Sequence, residues 1–293
     1  MENEQLDLLI SDEERAREYL VEKCFGNRER FCPRCQCTKL YKLGDDRFRC
    51  SCCKYTFHDF SGRWINHGRF TPVQWLLLAR YFEKGLPVLK IASAMSYSYG
   101  TVYEAVRIIR LSIAAAGDDA AYLLPQGFAD REGRFRRRPD GYRDIPVFGI
   151  GWEEDIVRAV ILPQFSAENI IGLSARMDRF GSIVFVGDIM GFEGLIFFEP
   201  RHLRRYRVVP FAYDRDLGEE TGTFWSWAKG ELVKYHGISY ENFPLYLKEL
   251  EFRFNHKSQD FIEDLMDGLC RLKPRAGGLD AGAAPDSLDA AEA

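Results

Sequence analysis

Two cysteine knuckles, Cys32-Pro-Arg-Cys35 and Cys50-Ser-Cys-Cys53, constrain this chain more than any other stretch. Fourteen residues separate them. At that spacing four thiolates reach the corners of one tetrahedron, the geometry structural zinc prefers, with Zn–S of about 2.3 Å. Between the knuckles, Lys39-Leu-Tyr-Lys-Leu43 and Arg47-Phe-Arg49 flank Gly44-Asp45-Asp46, a hairpin signal. The pattern predicts a zinc ribbon held by Cys32, Cys35, Cys50 and Cys53, with Cys37 and Cys52 as spare thiols or occasional substitutes. Four thiolates leave the metal no open position, so it holds the fold rather than catalyses. Lys39, Lys42, Arg47, Arg49 and Lys54 surround the site and suit either phosphate contacts or a plain solvated face.

The distribution of cysteine and charge bounds the setting. Of eight cysteines in 293 residues, six lie between 32 and 53, a metal-binding pattern that belongs in a reducing compartment. No apolar run approaches a membrane span and the acidic N-terminus lacks signal-peptide character, so a cytoplasmic protein without a membrane partner is expected. The formal net charge of −4 is uneven. Residues 1–22 hold eight acids and two bases, and 276–293 hold four acids and no base, which leaves the middle with six net positive charges. A basic body between acidic ends is compatible with nucleic acid without requiring it.

Residues 1–28 read as an acidic helical section. Ser11-Asp-Glu-Glu14 is a capping-box pattern, and Leu20, Val21, Cys24 and Phe25 form the apolar stripe behind it. The ribbon takes 29–60. In 70–117, Thr71 as N-cap with Pro72 at the first helical position predicts a helix over 73–84, stopped by Gly85. A short helix over 88–95, a turn over 96–100 and a longer helix over 101–115 make a helix-turn-helix pattern. Tyr97, Ser98, Tyr99 and Thr101 stand near the start of the third helix, with Arg107 and Arg110 further along. Tyr99, Thr101, Arg107 and Arg110 are the candidate DNA contacts; an ordinary three-helix packing unit is the alternative.

Six arginines between 131 and 143, Arg136, Arg137 and Arg138 among them, make a solvated loop or, beside a nucleic-acid site, a phosphate clamp. Strands are expected near Phe128 and over 145–152, 156–163, 182–187 and 206–211, with a helix over 166–176. Helical spacing of Phe224, Trp227, Ala228, Leu232 and Tyr235, repeated at Phe243, Leu247, Leu250 and Phe254, predicts two aromatic-rich amphipathic helices. A last amphipathic helix follows over 258–272. The tail, 273–293, is expected to be disordered. The order over 118–272, β-β-β-α-β-β and then helices, resembles a ribonuclease H-like core. In such a core, carboxylates from the first strand, the fourth strand and a late helix converge on a metal pair for in-line phosphoryl displacement. The expected fold class is α/β, a ribonuclease H-like core preceded by a zinc ribbon and a helix-turn-helix.

From about Phe31 to Lys257 the chain resembles the zinc-ribbon transposases of bacterial insertion sequences, the ISXO-two-like group. The likeness rests on the two knuckles, Trp75-Leu-Leu-Leu78 and Ile145-Pro-Val-Phe-Gly-Ile150. It rests most on Phe224-Trp-Ser-Trp-Ala-Lys229, Tyr235-His-Gly-Ile-Ser239, Glu241-Asn-Phe243 and Lys248-Glu-Leu-Glu-Phe-Arg-Phe-Asn255. The resemblance implies a protein that binds double-stranded element-end DNA and cuts and joins strands with an acidic triad and Mg2+ or Mn2+. It also implies a homo-oligomer on DNA and a nucleoid-associated location in a bacterium. Position by position it assigns Asp130 as first acid, with Asp119 as the alternative, and Asp188 as second. Lys229 takes the basic position. The position seven residues before Lys229, where relatives carry glutamate, is Gly222; Glu219 or Glu220 is then the substitute. The alternative function is a catalytically inactive, domesticated relative that binds DNA. A transcription regulator with an unrelated C-terminal domain ranks behind both, since it leaves the tryptophan-rich helix unexplained.

Overall fold

The computed structural model of the chain describes residues 3–26, 28–67, 70–124, 147–153, 156–162, 194–198, 206–210, 219–235, 238, 242–256 and 261–274. Two helices open it, α1 (Asn3–Ile10) and α2 (Glu13–Phe25). Asp12, not Ser11, caps the second helix: its backbone is extended and its carboxylate accepts the N–H groups of Glu14 and Arg15. A carboxylate there satisfies orphan donors and also faces the positive end of the dipole. Three short strands follow, β1 (Leu40–Lys42), β2 (Phe48–Cys50) and β3 (Thr56–Phe57), in an antiparallel sheet of that order.

Next come α3 (Pro72–Glu83), α4 (Val88–Ala94) and α5 (Tyr99–Ala114). Thr71 and Gln74 form a reciprocal capping box on α3, and Gly85 at φ +66° ends the turn after it, as the sequence predicts. α5 starts two residues earlier than the pattern suggests. Ser98 is its N-cap, its Oγ accepting the Thr101 N–H at 3.2 Å, so Tyr99 opens the helix. A short α6 (Ala120–Leu123) follows.

The second half carries β4 (Val147–Glu153), β5 (Ile156–Ile161), β6 (Gly194–Phe198), β7 (Tyr206–Pro210), α7 (Glu219–Val233), α8 (Phe243–Asn255) and α9 (Phe261–Cys270). The sheet order is β5-β4-β6-β7 and each of its pairings is antiparallel. β6 is the strand the sequence does not announce: its short run is wholly apolar and carries no period of two. It gains its place by pairing β4 on one side and β7 on the other. The expected strand near Phe128, the helix over 166–176 and the strand over 182–187 lie outside the described residues. What is described is a mixed α/β chain with two small sheets.

Two hydrophobic cores result. The first gathers Leu6, Leu20, Trp75, Leu78 and Ile109 of the N-terminal helices. It also takes Phe261, Leu265, Met266 and Leu269 of α9, so the last helix belongs to the helical core although the sequence groups it with the sheet. The second packs Val147, Phe148, Ile150, Leu195 and Ile196 against Phe224 and Ala228 of α7 and Phe243, Leu247 and Leu250 of α8. α8 touches α5 on one side and β5 on the other. Its last residue, Asn255, accepts the Val157 N–H and donates to the Val157 carbonyl, both at 3.0 Å, so a side-chain amide completes the outer edge of β5.

Candidate metal centre and nucleic-acid interface

The two knuckles are built alike. Gln36 N–H bonds the Cys32 carbonyl at 2.8 Å and Lys54 N–H bonds the Cys50 carbonyl at 3.1 Å. Cys32 N–H and Cys50 N–H each bond a carbonyl five residues on, those of Cys37 and Tyr55. Gln36 and Lys54, each just past the second cysteine of its knuckle, both sit at φ +60°. Left-handed backbone is costly for side chains of this kind, and it persists here because the tight turn aims both thiols of a knuckle at one point. The β1–β2 turn uses the same region, with Asp45 at φ +61° and Asp46 at +55°, the double-positive geometry of a hairpin turn. Arg47 holds Asp45 at 2.8 Å.

Cys32, Cys35, Cys50 and Cys53 come together with all four sulfurs within 4.8 Å of one another. Cys32 Sγ lies 3.6 Å from Cys53 Sγ, and Cys35 Sγ 3.5 Å from Cys50 Sγ. Sulfurs about 2.3 Å from one tetrahedral zinc stand about 3.8 Å apart, so the four residues fit the ion closely. The Cys53 backbone N–H brings the Cys50 thiol down to about 7. Cys35 is pushed up to about 12: the Cys37 N–H works against the rise, and burial with the neighbouring sulfurs outweighs it. Such crowding calls for a cation, and the four residues present the donor set of a structural zinc centre. Cys37 and Cys52 are joined to each other in a disulfide beside it, their sulfurs within 4.8 Å of that of Cys50.

The ribbon turns one face inward and one outward. Cys32, Cys50 and Phe57 are buried, with Leu40 and Phe48 packed on them. The opposite row, Tyr41, Arg49 and Thr56, is paired across all three strands and exposed, as are Lys39, Lys42, Arg47 and Lys54. Asp59 anchors the ribbon to the helices. Buried itself, it accepts from Arg30 at 2.8 Å and lies 3.5 Å from Arg17 of α2.

At the α4–α5 turn, Ser96, Ser98, Tyr99 and Gly100 are exposed, Thr101 is half-buried, and Tyr99 stacks on Tyr103 at 5.9 Å. Arg107 is half-buried and pairs with Glu104 at 3.3 Å. Arg110 does not reach that surface. Only 4% exposed, its guanidinium meets Glu249 of α8 and lies 3.8 Å over the Tyr246 ring. The expectation of a DNA contact at Arg110 is therefore corrected: the helix turns its second half into the core, and a buried arginine needs a buried acid.

The acids expected for catalysis are placed as follows. Asp130 and Asp188 lie outside the described residues, as do Arg136, Arg137 and Arg138. Glu219 is the first residue of α7, and Lys229 is exposed further along it. The i, i+7 spacing puts position 222 and Lys229 on one face of that helix. Asp119, the alternative first acid, is buried and committed elsewhere: it accepts the Ile161 N–H at 3.0 Å and pairs with Lys248 at 3.1 Å. Lys248 also pairs with Glu251 at 3.0 Å. Burial pushes the Glu251 carboxyl up, Lys248 opposes this, and Asp119 reinforces it. Gly117 lets the group close, since a Cβ there would stand 2.8 Å from Asp119 Oδ1.

A family model described as the transposase zinc-ribbon domain matches residues 11–56, a span that runs from the cap of α2 through the knuckles into β3. A Haemophilus influenzae protein described as an uncharacterized transposase-like protein is 32% identical over 116 residues, 38% of this chain and 94% of that one. This chain belongs to the zinc-ribbon transposase-like proteins. No solved structure matches it.

The span matched in this transposase-like chain explains why α2 goes with the ribbon. Phe25 at the end of α2 meets Phe31 edge-on at 5.5 Å, and Arg17 reaches Asp46 and Asp59 of the ribbon. Sequence reading misses Asp59, Asp119 and Arg110 as structural charges, because nothing local marks a charge as buried. One signal was within reach. Lys248, Glu249, Glu251 and Arg253 crowd into one helix, more charge than a solvated face of an aromatic helix needs. Among the described residues no helix is long and apolar enough to cross a membrane.

Proposed function

We propose that this chain is a DNA transposition protein that binds double-stranded element ends and cleaves and joins strands by metal-dependent phosphoryl transfer. The observation that carries the reading is kinship with a transposase-like protein, joined to an intact zinc ribbon. The exposed row Tyr41–Arg49–Thr56, with Lys39, Lys42 and Lys54 about it, offers cations to phosphates and an aromatic ring to a sugar or base. The α4–α5 unit acts as a helix-turn-helix whose leading residues, exposed Tyr99 and half-buried Thr101, read base edges. In a ribonuclease H-like unit, Asp130, Asp188 and Glu219 or Glu220 would hold Mg2+ or Mn2+, which would supply Lewis-acid polarisation of the phosphate and activation of the attacking oxygen. Lys229 places positive charge beside the scissile phosphate. Two copies on DNA bring two ends together.

Gly222 favours a second reading, in which the chain binds DNA and has lost the chemistry. The test incubates the protein with Mg2+ or Mn2+ and duplexes carrying the sequences that flank its own gene. Cleavage or joining that Asp188→Asn abolishes, with binding intact, supports the enzyme. Binding without cleavage by the unaltered chain supports the second reading. Failure to bind duplex DNA at low salt ends both.

A further inference from the structure

The ribbon carries two cysteines more than a four-thiolate site uses. Cys37 leaves the first knuckle and Cys52 lies inside the second, 15 residues apart in sequence, and their sulfurs are bonded. Their Cα atoms stand 6.5 Å apart, inside the range of roughly 4.4–6.8 Å that a disulfide spans. Cys52 is exposed and Cys37 half-buried, so small thiols reach the bond. The sulfurs of Cys37, Cys50 and Cys52 lie within 4.8 Å of one another. Opening the bond therefore sets two free thiols beside Cys50, a zinc ligand. Closing it removes both from competition and straps one knuckle to the other.

We propose that Cys37 and Cys52 are a reversible thiol–disulfide pair that locks the two zinc knuckles together, so that the ribbon's hold on its metal follows the thiol–disulfide balance around it. To close the bond, one cysteine thiolate attacks a disulfide such as oxidised glutathione, forming a mixed disulfide and releasing one glutathione thiolate. The thiolate of the other cysteine then attacks the protein sulfur of that mixed disulfide and releases the second glutathione. The two cysteine thiols give up two electrons and two protons, and the glutathione disulfide takes them up. Excess reduced glutathione runs the exchange backwards. With the bond closed, a ligand that leaves the zinc stays within reach and rebinds. With it open, Cys37 or Cys52 can displace Cys50, and the partly detached ion is open to a competing chelator.

The experiment equilibrates the zinc-loaded full chain with glutathione buffers from reducing to oxidising. Intact mass, alkylation and peptide mapping follow the cysteines, and a chromogenic chelator follows zinc release. The closed form should be lighter by two hydrogens, yield a peptide linking Cys37 to Cys52, and retain its zinc. Its metal should leave roughly tenfold more slowly than from the open form, because the closed loop restricts the ligand-free ensemble. Cys37→Ser/Cys52→Ser should bind zinc with no dependence on the glutathione ratio. Persistent glutathione adducts, cross-links to Cys32, Cys35, Cys50 or Cys53 with loss of zinc, or equal release rates from both forms would each overturn the proposal.

Discussion

Arg110 Nε donates to Glu249 Oε2 at 2.6 Å, joining α5 to α8 across 139 residues of sequence with both side chains buried. Glu249 is shared. Its other oxygen accepts from Tyr235 at 3.0 Å and from Arg253 at 2.7 Å. Arg253 in turn caps the end of α3 by donating to the Phe82 and Glu83 carbonyls. One carboxylate thus ties together the helix that leads with Tyr99, α8, the turn leaving α7 at Tyr235 and, through Arg253, α3. Removing it strands two arginines, one of them deeply buried.

Glu249→Ala is therefore expected to destabilise the chain by about 3–5 kcal/mol, the range for breaking a buried pair. Arg110→Met combined with Glu249→Leu should recover much of the loss, because the deeply buried guanidinium then goes with its partner, while Arg253 keeps the Phe82 and Glu83 carbonyls. Urea denaturation of Arg110→Met, Glu249→Leu and the double variant that combines them checks this. Additive losses in the double variant would show that the pair is not coupled.

The same carboxylate sets an acid limit. Burial alone pushes Glu249 up, but Arg110 and Arg253 outweigh it and hold it at about 2, against an ordinary 4.5. A folded value below the unfolded one means a stability contribution complete above pH 4.5 and lost as pH falls toward 2. The difference amounts to about 3 kcal/mol. Denaturant titrations from about pH 5, just above this window, down to about pH 2 should show this slope in the parent chain and lose it in Glu249→Gln.

Zinc removal should act locally. The ribbon's buried cluster is only Cys32, Cys50 and Phe57, too little to hold three short strands without metal. Chelation, or Cys50→Ala, should leave the 32–56 segment open to protease while far-UV helix signal changes little. Unchanged protection of that segment in the metal-free chain would show that packing, not zinc, holds it.

DNA binding, if the proposed function holds, should separate two kinds of residue. Arg49→Ala on the outer row should weaken binding to all duplexes alike and lower the salt slope by about one. Tyr99→Ala should narrow the gap between preferred and random sequences. Fluorescence anisotropy at several salt concentrations measures both. Arg110→Ala should change affinity only as far as it unfolds the chain.

The knuckles, the α3 cap at Thr71 and the hairpin turn at Asp45–Asp46 were legible in the sequence because each is set by chemistry within a few residues. Thiol spacing chooses a metal, a hydroxyl chooses an N-terminus, and an Asp-rich turn tolerates left-handed backbone. The aromatic helices α7 and α8 were legible through their period. The candidate site was legible only in part: the four zinc ligands come together as their spacing predicts, whereas Arg110 and Asp119 do other work.

What the sequence alone determined, then, is the metal centre and the helices, since these follow from short-range spacing. What only the tertiary structure decided is which charges are buried, where α9 packs, and that β6 pairs into the sheet beside β4. Arg110 and Arg107 lie one turn apart on the same helix and look alike in sequence. One meets Glu104 on its own helix, and the other meets Glu249, brought there from 139 residues away by the packing of α8 on α5. A charge is a surface feature or a core feature according to what folds over it, and no local pattern encodes that.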